Sequence, residues 1–293
     1  MAQLVFDGMP RRLFSCTPTR LAAFQDCPRR YRMTYLDRPA PPKGPPWAHT
    51  SLGVSTHNAL HRWWDEPEPA RTPARAGELL RACWLRDGWR DDAQSAAARE
   101  RAAAMCERYA AGLDPAAVPR AVERQVATRT DLLALHGRVD RLDERDGELV
   151  VVDYKTGRRA PEDGEARTSP ALALYAVASE RMLRQRCRRV ELHHLPTGRV
   201  VAAEHTDESL ARHIRRAESI AVDAVAATER LAAGQPADVA FPPRPGSLCS
   251  WCDFRRHCPE GQAAGPELSP WAGAAEFAAA GVDSLDGAPP VAG

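Results

Sequence analysis

The chain has 293 residues, enough for one sizeable core or two small ones, and a formal net charge of +1. That balance excludes a protein held on nucleic acid by a global basic field, so any such contact is local. No stretch approaches the roughly 18 uninterrupted apolar residues of a membrane span, and no basic segment precedes a long apolar run near the N-terminus, so a cytoplasmic protein without membrane contact is expected.

Thr17 followed by Pro18 predicts a helix start, with Leu21, Ala22 and Phe24 at helical spacing and a stop at Cys27-Pro28. Proline-rich loops over 39–46 and 67–73 bracket a second helix over 51–64, whose apolar positions are Leu52, Leu60, Trp63 and Trp64 and which carries His57 and His61. An Ala- and Arg-rich helical region follows, over about 78–110. The character then changes to strands over 122–126, 137–143 and 148–155. Further on, the pattern predicts a helix over 170–186, a hairpin of 190–195 with 199–204, and a long helix over 209–231. One compact unit over 1–261 is expected, with its helical part about 51–110 and its sheet about 120–206. Residues 262–293 are rich in Ala, Gly and Pro and read as a flexible tail, with Trp271 and Phe277 as docking points.

The most informative segment holds Asp140 on one predicted strand and Asp153-Tyr154-Lys155 on the next. Asp146-Gly147 between them is a two-residue hairpin signal. If Arg145 faces Glu148, counting outward puts Asp140 across from Asp153, close enough for both carboxylates to grip one divalent cation. Alternation places Asp153 and Lys155 on one face and Val150, Val152 and Tyr154 on the other. Only two of the 40 basic residues are lysines, Lys43 and Lys155, so a lysine here marks a place where a compact ammonium is needed. Two acids beside an ammonium suit phosphodiester hydrolysis: a cation neutralises developing charge and acidifies a water, and the amine orients it.

Asp140 followed by Asp153-Tyr154-Lys155-Thr156-Gly157 resembles the PD-(D/E)xK superfamily, specifically its RecB-like nucleases. The resemblance implies a restriction-endonuclease-like α/β fold, a mixed β-sheet flanked by helices. It also implies Mg²⁺ or Mn²⁺ bound by Asp140 and Asp153, and Lys155 positioning the attacking water. Gly53-Val54-Ser55-Thr56-His57 matches the family's Gly-x-x-x-His, making His57 a further candidate ligand. A following Gln-x-x-x-Tyr helix is also implied; here Ala171 to Tyr175 keeps the tyrosine, a candidate catalytic residue, and lacks the glutamine. DNA, single-stranded or with free ends, is the implied substrate, with exonuclease-type cleavage in repair or recombination and a helicase as partner. The rival reading is a non-cleaving DNA-binding or scaffolding subunit, for which Ala171 is the hint.

Eight cysteines in a reducing compartment argue for bound metal over disulfides. Cys249, Cys252 and Cys258 form a C-x2-C-x5-C run that needs a fourth ligand, for which Cys27 is the candidate. The layout resembles iron-sulfur nucleases of the AddB and CRISPR-adaptation type and implies a structural 4Fe-4S cluster joining the two ends of the domain, with zinc as the alternative occupant. His257 is placed beside it, and Cys16, Cys83, Cys106 and Cys187 read as buried apolar side chains. Arginines at 29, 30 and 32, and at 181, 184, 186, 188 and 189, form two clusters suited to phosphate contact or to plain solvation.

Overall fold

The computed structural model describes residues 13–277; the expected tail beyond 277 and the side chain of Phe277 lie outside the described residues. A short strand β1 (Phe14–Cys16) leads into α1 (Pro18–Asp26), whose first turn is capped by the Thr17 hydroxyl accepting from Arg20 N. Pro28 cannot continue that helix but starts the next, α2 (Pro28–Tyr35), so Cys27 closes one helix and opens another.

After α3 (Ala48–Asp65), the single helical region expected over about 78–110 is instead two helices, α4 (Pro73–Cys83) and α5 (Asp92–Ala111). The break has two local causes. Gly88 takes φ +81 with its α-carbon against the backbone of Trp47 and Ala48, which leaves no room for a side chain. Asp91 then accepts from Gln94 N and restarts the helix.

The sheet has six strands, adding β2 (Ala121–Arg129), β3 (Leu133–Arg145), β4 (Glu148–Lys155), β5 (Cys187–His194) and β6 (Arg199–Glu204). Long β3 pairs antiparallel with β2, parallel with β1 near its start and antiparallel with β4 near its end. The β3–β4 turn is the predicted one: Asp146 and Gly147 have φ +52 and +79, and Arg145 pairs with Glu148. β4 and β5 run parallel, joined by α6 (Glu165–Thr168) and α7 (Pro170–Leu183), and β6 closes the sheet antiparallel to β5.

Alternation then sorts the side chains into two cores. Leu142, Leu149, Val151 and Val190 pack under α7 and the long α8 (Asp207–Ala232), while Val150, Val152 and Tyr154 pack with Trp63, Trp64, Leu80 and Met105 of α3 to α5. This is the mixed sheet between helical layers that was expected. Beyond α8, α9 (Ala237–Ala240) and α10 (Pro259–Ala263) return the chain to the N-terminal helices, where Phe241 packs against Phe24 and Tyr31. The chain then reaches the start of α3, where Ala48 N donates to Pro270 O. Among the described residues no helix is long and apolar enough to cross a membrane.

Candidate active site

The side-chain alternation of both β2 and β3 slips by one residue at the same place. On β3, Val139 and Leu142 both join the core under α7 although three positions separate them; on β2, Val126 joins that core while Val122 packs on the opposite one. The residues at the slip are Glu123, with φ +47, and Asp140. The β2–β3 register, Val122 with Arg141 and Arg124 with Val139, sets Glu123 opposite Asp140. One step beyond the Arg141–Val152 pair, the β3–β4 register sets Asp153 opposite Asp140. Three acids from three neighbouring strands therefore form a row.

The ladder opens at this row. The Tyr154 N–H bonds not to a backbone carbonyl of β3 but to Asp140 Oδ2, at 2.8 Å, which turns the Asp140 carboxylate into the gap. His57 reaches the gap from α3 on one side of the sheet, its Nδ1 3.3 Å from Asp140 Oδ1 and 3.5 Å from Glu123 Oε1. Its ring stands edge-on to Tyr154, whose hydroxyl is held by Trp64 and Arg141. Tyr175 approaches from α7 on the other side, its ring packed across Gly137 so closely that a Cβ there would lie 3.3 Å from the phenolic oxygen and under 3.0 Å from the ring edge.

His57, Glu123 and Asp140 offer ligand atoms all within 4.8 Å of one another, the spacing of groups that share a cation. Glu123, Asp140 and Asp153 are 10, 14 and 17% exposed in their side chains, so their charges are largely withdrawn from water and need a counter-charge. Protons and cationic side chains partly supply it. Burial works against protonation of His57, yet the Asp140 and Glu123 carboxylates push the imidazole up to about 10. Burial raises the Asp153 carboxyl, Asp140 adds repulsion, and the Lys155 ammonium 2.6 Å away opposes both. Asp153 Oδ2 nevertheless has no well-directed hydrogen bond. Burial and the two aspartates push the Tyr175 phenol up to about 12, which keeps it a neutral donor.

The segment after Lys155 is fixed from β5. Leu195 N donates to Lys155 O, and His194 Nε2 donates to Gly157 O at 2.6 Å while its Nδ1 meets the Thr197 hydroxyl at 2.8 Å. Gly53 lies where α3 passes Thr156; a Cβ there would touch the Thr156 hydroxyl at 3.6 Å.

Residues 15–259 match the family model of the PD-(D/E)XK nuclease superfamily. The chain belongs to that superfamily. No curated protein sequence matches it. For this PD-(D/E)XK superfamily member the mixed sheet between helices is consistent with the restriction-endonuclease-like fold, and a divalent-cation-dependent phosphodiester hydrolase acting on DNA is the class of function the superfamily suggests. The sequence-predicted Asp140, Asp153, Lys155, His57 and Tyr175 all gather at the open ladder, with Asp153 joined more closely to Lys155 than to the His57 group. Glu123 was not anticipated. It sits in a strand whose partner register carried no two-residue turn signal, because β2 and β3 join through a Thr130 turn that bonds Leu132 N and Leu133 N. Arg138 pairs with its second oxygen at 2.8 Å.

A second assembly lies some distance along the chain at the junction of its ends. Cys27, Cys249, Cys252 and Cys258 all line one cavity of about 260 Å³ between α2 and the loop before α10, and all are free thiols. Gly261 borders it, where a Cβ would project to 3.4 Å from Cys258 Sγ and 3.8 Å from Cys249 Sγ. The donor set and the room suit a metal group. No three of these sulfurs lie within 4.8 Å of one another among the described residues. His257 is turned away from the thiols, bonded to Pro42 O. The arginine clusters make contacts within the protein: Arg30 with Asp26, Arg32 with Asp37, Arg181 with Arg129 O, Arg186 with Glu148, Arg188 with Glu180 and Asp207, and Arg189 with Glu191.

Proposed function

We propose that this chain is a RecB-like deoxyribonuclease that hydrolyses single-stranded or end-bearing DNA with Mg²⁺ or Mn²⁺. The observation that carries this reading is the convergence of His57, Glu123 and Asp140 within 4.8 Å beside the Asp153–Lys155 pair. A divalent cation bound there would supply Lewis acidity toward a phosphate oxygen and make a water acidic. His57, Glu123 and Asp140 would hold it, with Asp153 opposite Asp140 on the neighbouring strand. Lys155, half-exposed and 2.6 Å from Asp153, orients the attacking water toward the phosphorus and stabilises the negative charge that develops on the phosphate. Tyr175, kept neutral, donates a hydrogen bond at the far side of the gap.

Exonuclease-type cleavage in repair or recombination, a helicase partner and a cytoplasmic setting are the remaining parts of this reading, supported by the motif resemblance and, for the last, by eight free thiols. A 4Fe-4S cluster on Cys27, Cys249, Cys252 and Cys258 is the further part. The resemblance of the cysteine layout to iron-sulfur nucleases supports this part, and a single zinc on the same four thiols is the alternative occupant.

The test is cleavage of end-labelled single- and double-stranded DNA with Mn²⁺ by the wild type, Asp153→Ala and Lys155→Ala. Cleavage by the wild type and its loss in both variants, with the fold intact by circular dichroism, is the expected result. Unchanged cleavage by both variants overturns the mechanism, and a wild type that binds DNA without cutting it selects the scaffolding reading.

A further inference from the structure

Arg29 lies at the second position of α2, two residues after Cys27, and is 5% exposed. A guanidinium is withdrawn from water this far only when other groups hold its charge. Three groups, from two segments distant in sequence, do so. Glu260, on α10, accepts from both terminal nitrogens; Asp238, on α9, stands 3.1 Å from Nη2; and Nη1 points at Cys258 Sγ at 3.3 Å. Gly261 N also donates to that sulfur, at 3.4 Å. Cys258 thus receives two N–H groups, one of them charged, and the carboxylate clamp fixes the guanidinium so that its charge faces the thiol cavity.

We propose that Arg29 is a positioning residue for the Cys258 ligand, holding that sulfur toward the cavity and raising the reduction potential of the iron-sulfur group it helps bind. The proposal rests on the cluster reading above. Reduction adds an electron to a centre already made negative by four thiolates, so a fixed positive charge and a hydrogen bond at one sulfur favour the reduced form. Glu260 acts in the opposite sense by cancelling part of that charge. A guanidinium whose only task is to tie α2 to α10 has no reason to give these two substitutions opposite effects on a potential.

The experiment uses the full chain purified without oxygen, analysed for iron, sulfide and zinc, and then reduced stepwise with dithionite and mediators under optical and electron-paramagnetic detection. Arg29→Gln is expected to lower the midpoint by at least a tenfold change in the reduced-to-oxidised ratio at fixed potential, about 59 mV for a one-electron couple. Glu260→Gln is expected to raise the midpoint, and Arg29→Lys to restore most of the loss. Iron present with unchanged midpoints, with shifts of the same sign in Arg29→Gln and Glu260→Gln, or with no reduction in any variant overturns the Arg29 proposal alone. Zinc in place of iron overturns the cluster reading and this proposal with it.

Discussion

Gly137→Ala is a one-carbon change that tests how Tyr175 is brought to the site. The added Cβ would lie 3.3 Å from the Tyr175 Cζ and hydroxyl and under 3.0 Å from Cε1, a separation real Cβ atoms essentially never show. Tyr175 is packed between β3 and the core under α7, so its ring yields only by moving away from Asp140 and Asp153. Overpacking of this kind costs about 1–3 kcal/mol, offset by the roughly 0.5–1 kcal/mol that alanine regains over glycine inside a strand. A net loss of about 0–2.5 kcal/mol is expected from urea unfolding. Mn²⁺-dependent cleavage should fall by more than the stability loss explains, because at 25 °C the variant remains folded. In a Tyr175→Ala background, where the clashing ring is gone, the same substitution should stabilise by roughly 0.5–1 kcal/mol, and the difference is a coupling energy that a double-mutant cycle measures. Full stability and full cleavage in Gly137→Ala would refute the account of how Tyr175 is placed.

Glu123→Gln should weaken Mn²⁺ binding by about tenfold or more, roughly 1.4 kcal/mol, measured by calorimetry; wild-type affinity would remove Glu123 from the ligand set. Mn²⁺ binding should also tighten as pH rises from 6 to 9, because the metal-free site holds a proton on His57 up to about pH 10 and a coordinating imidazole must release it. The same raised value makes the His57 contribution to metal-free stability fully present below about pH 6.5 and lost as pH rises through about 10, which urea titrations over that range will read. Arg141→Leu should cost about 3 kcal/mol or more, because Arg141 is buried, stacked on Trp64 and Tyr154 and bonded to Tyr109, Tyr154 and Asp143, and its removal strands those partners. On the proposed cluster reading, Cys27→Ser should lower the iron content of the purified chain and loosen α1 and α2 in hydrogen exchange while leaving the β3–β4 hairpin protected.

Much of the site was legible because a two-residue turn is a rigid ruler. Asp146-Gly147 fixes Arg145 against Glu148, and every later pair follows by counting, so Asp140 opposite Asp153 could be read without coordinates. The β2–β3 connection offers no such ruler, and the phase slip at Glu123 and Asp140 cannot be seen in a hydrophobic pattern that assumes unbroken alternation. That slip lets a residue from the helices on each side of the sheet, His57 and Tyr175, meet at one row of acids. The break between α4 and α5 was hidden for a different reason. Residues 84–91 hold no alanine, and Asp87-Gly88 and Asp91 are turn and cap signals, but the Ala- and Arg-rich stretches on either side mask them, and the contact of Gly88 with Trp47 and Ala48 is tertiary.

The central claim is that one cation sits where β2, β3 and α3 meet. Crystals grown with Mn²⁺ and measured at the manganese edge will locate it by anomalous scattering. The account predicts a peak coordinated by His57 Nδ1, Glu123 and Asp140, with Asp153 and Lys155 beside it; strong manganese peaks confined to other parts of the molecule would contradict it.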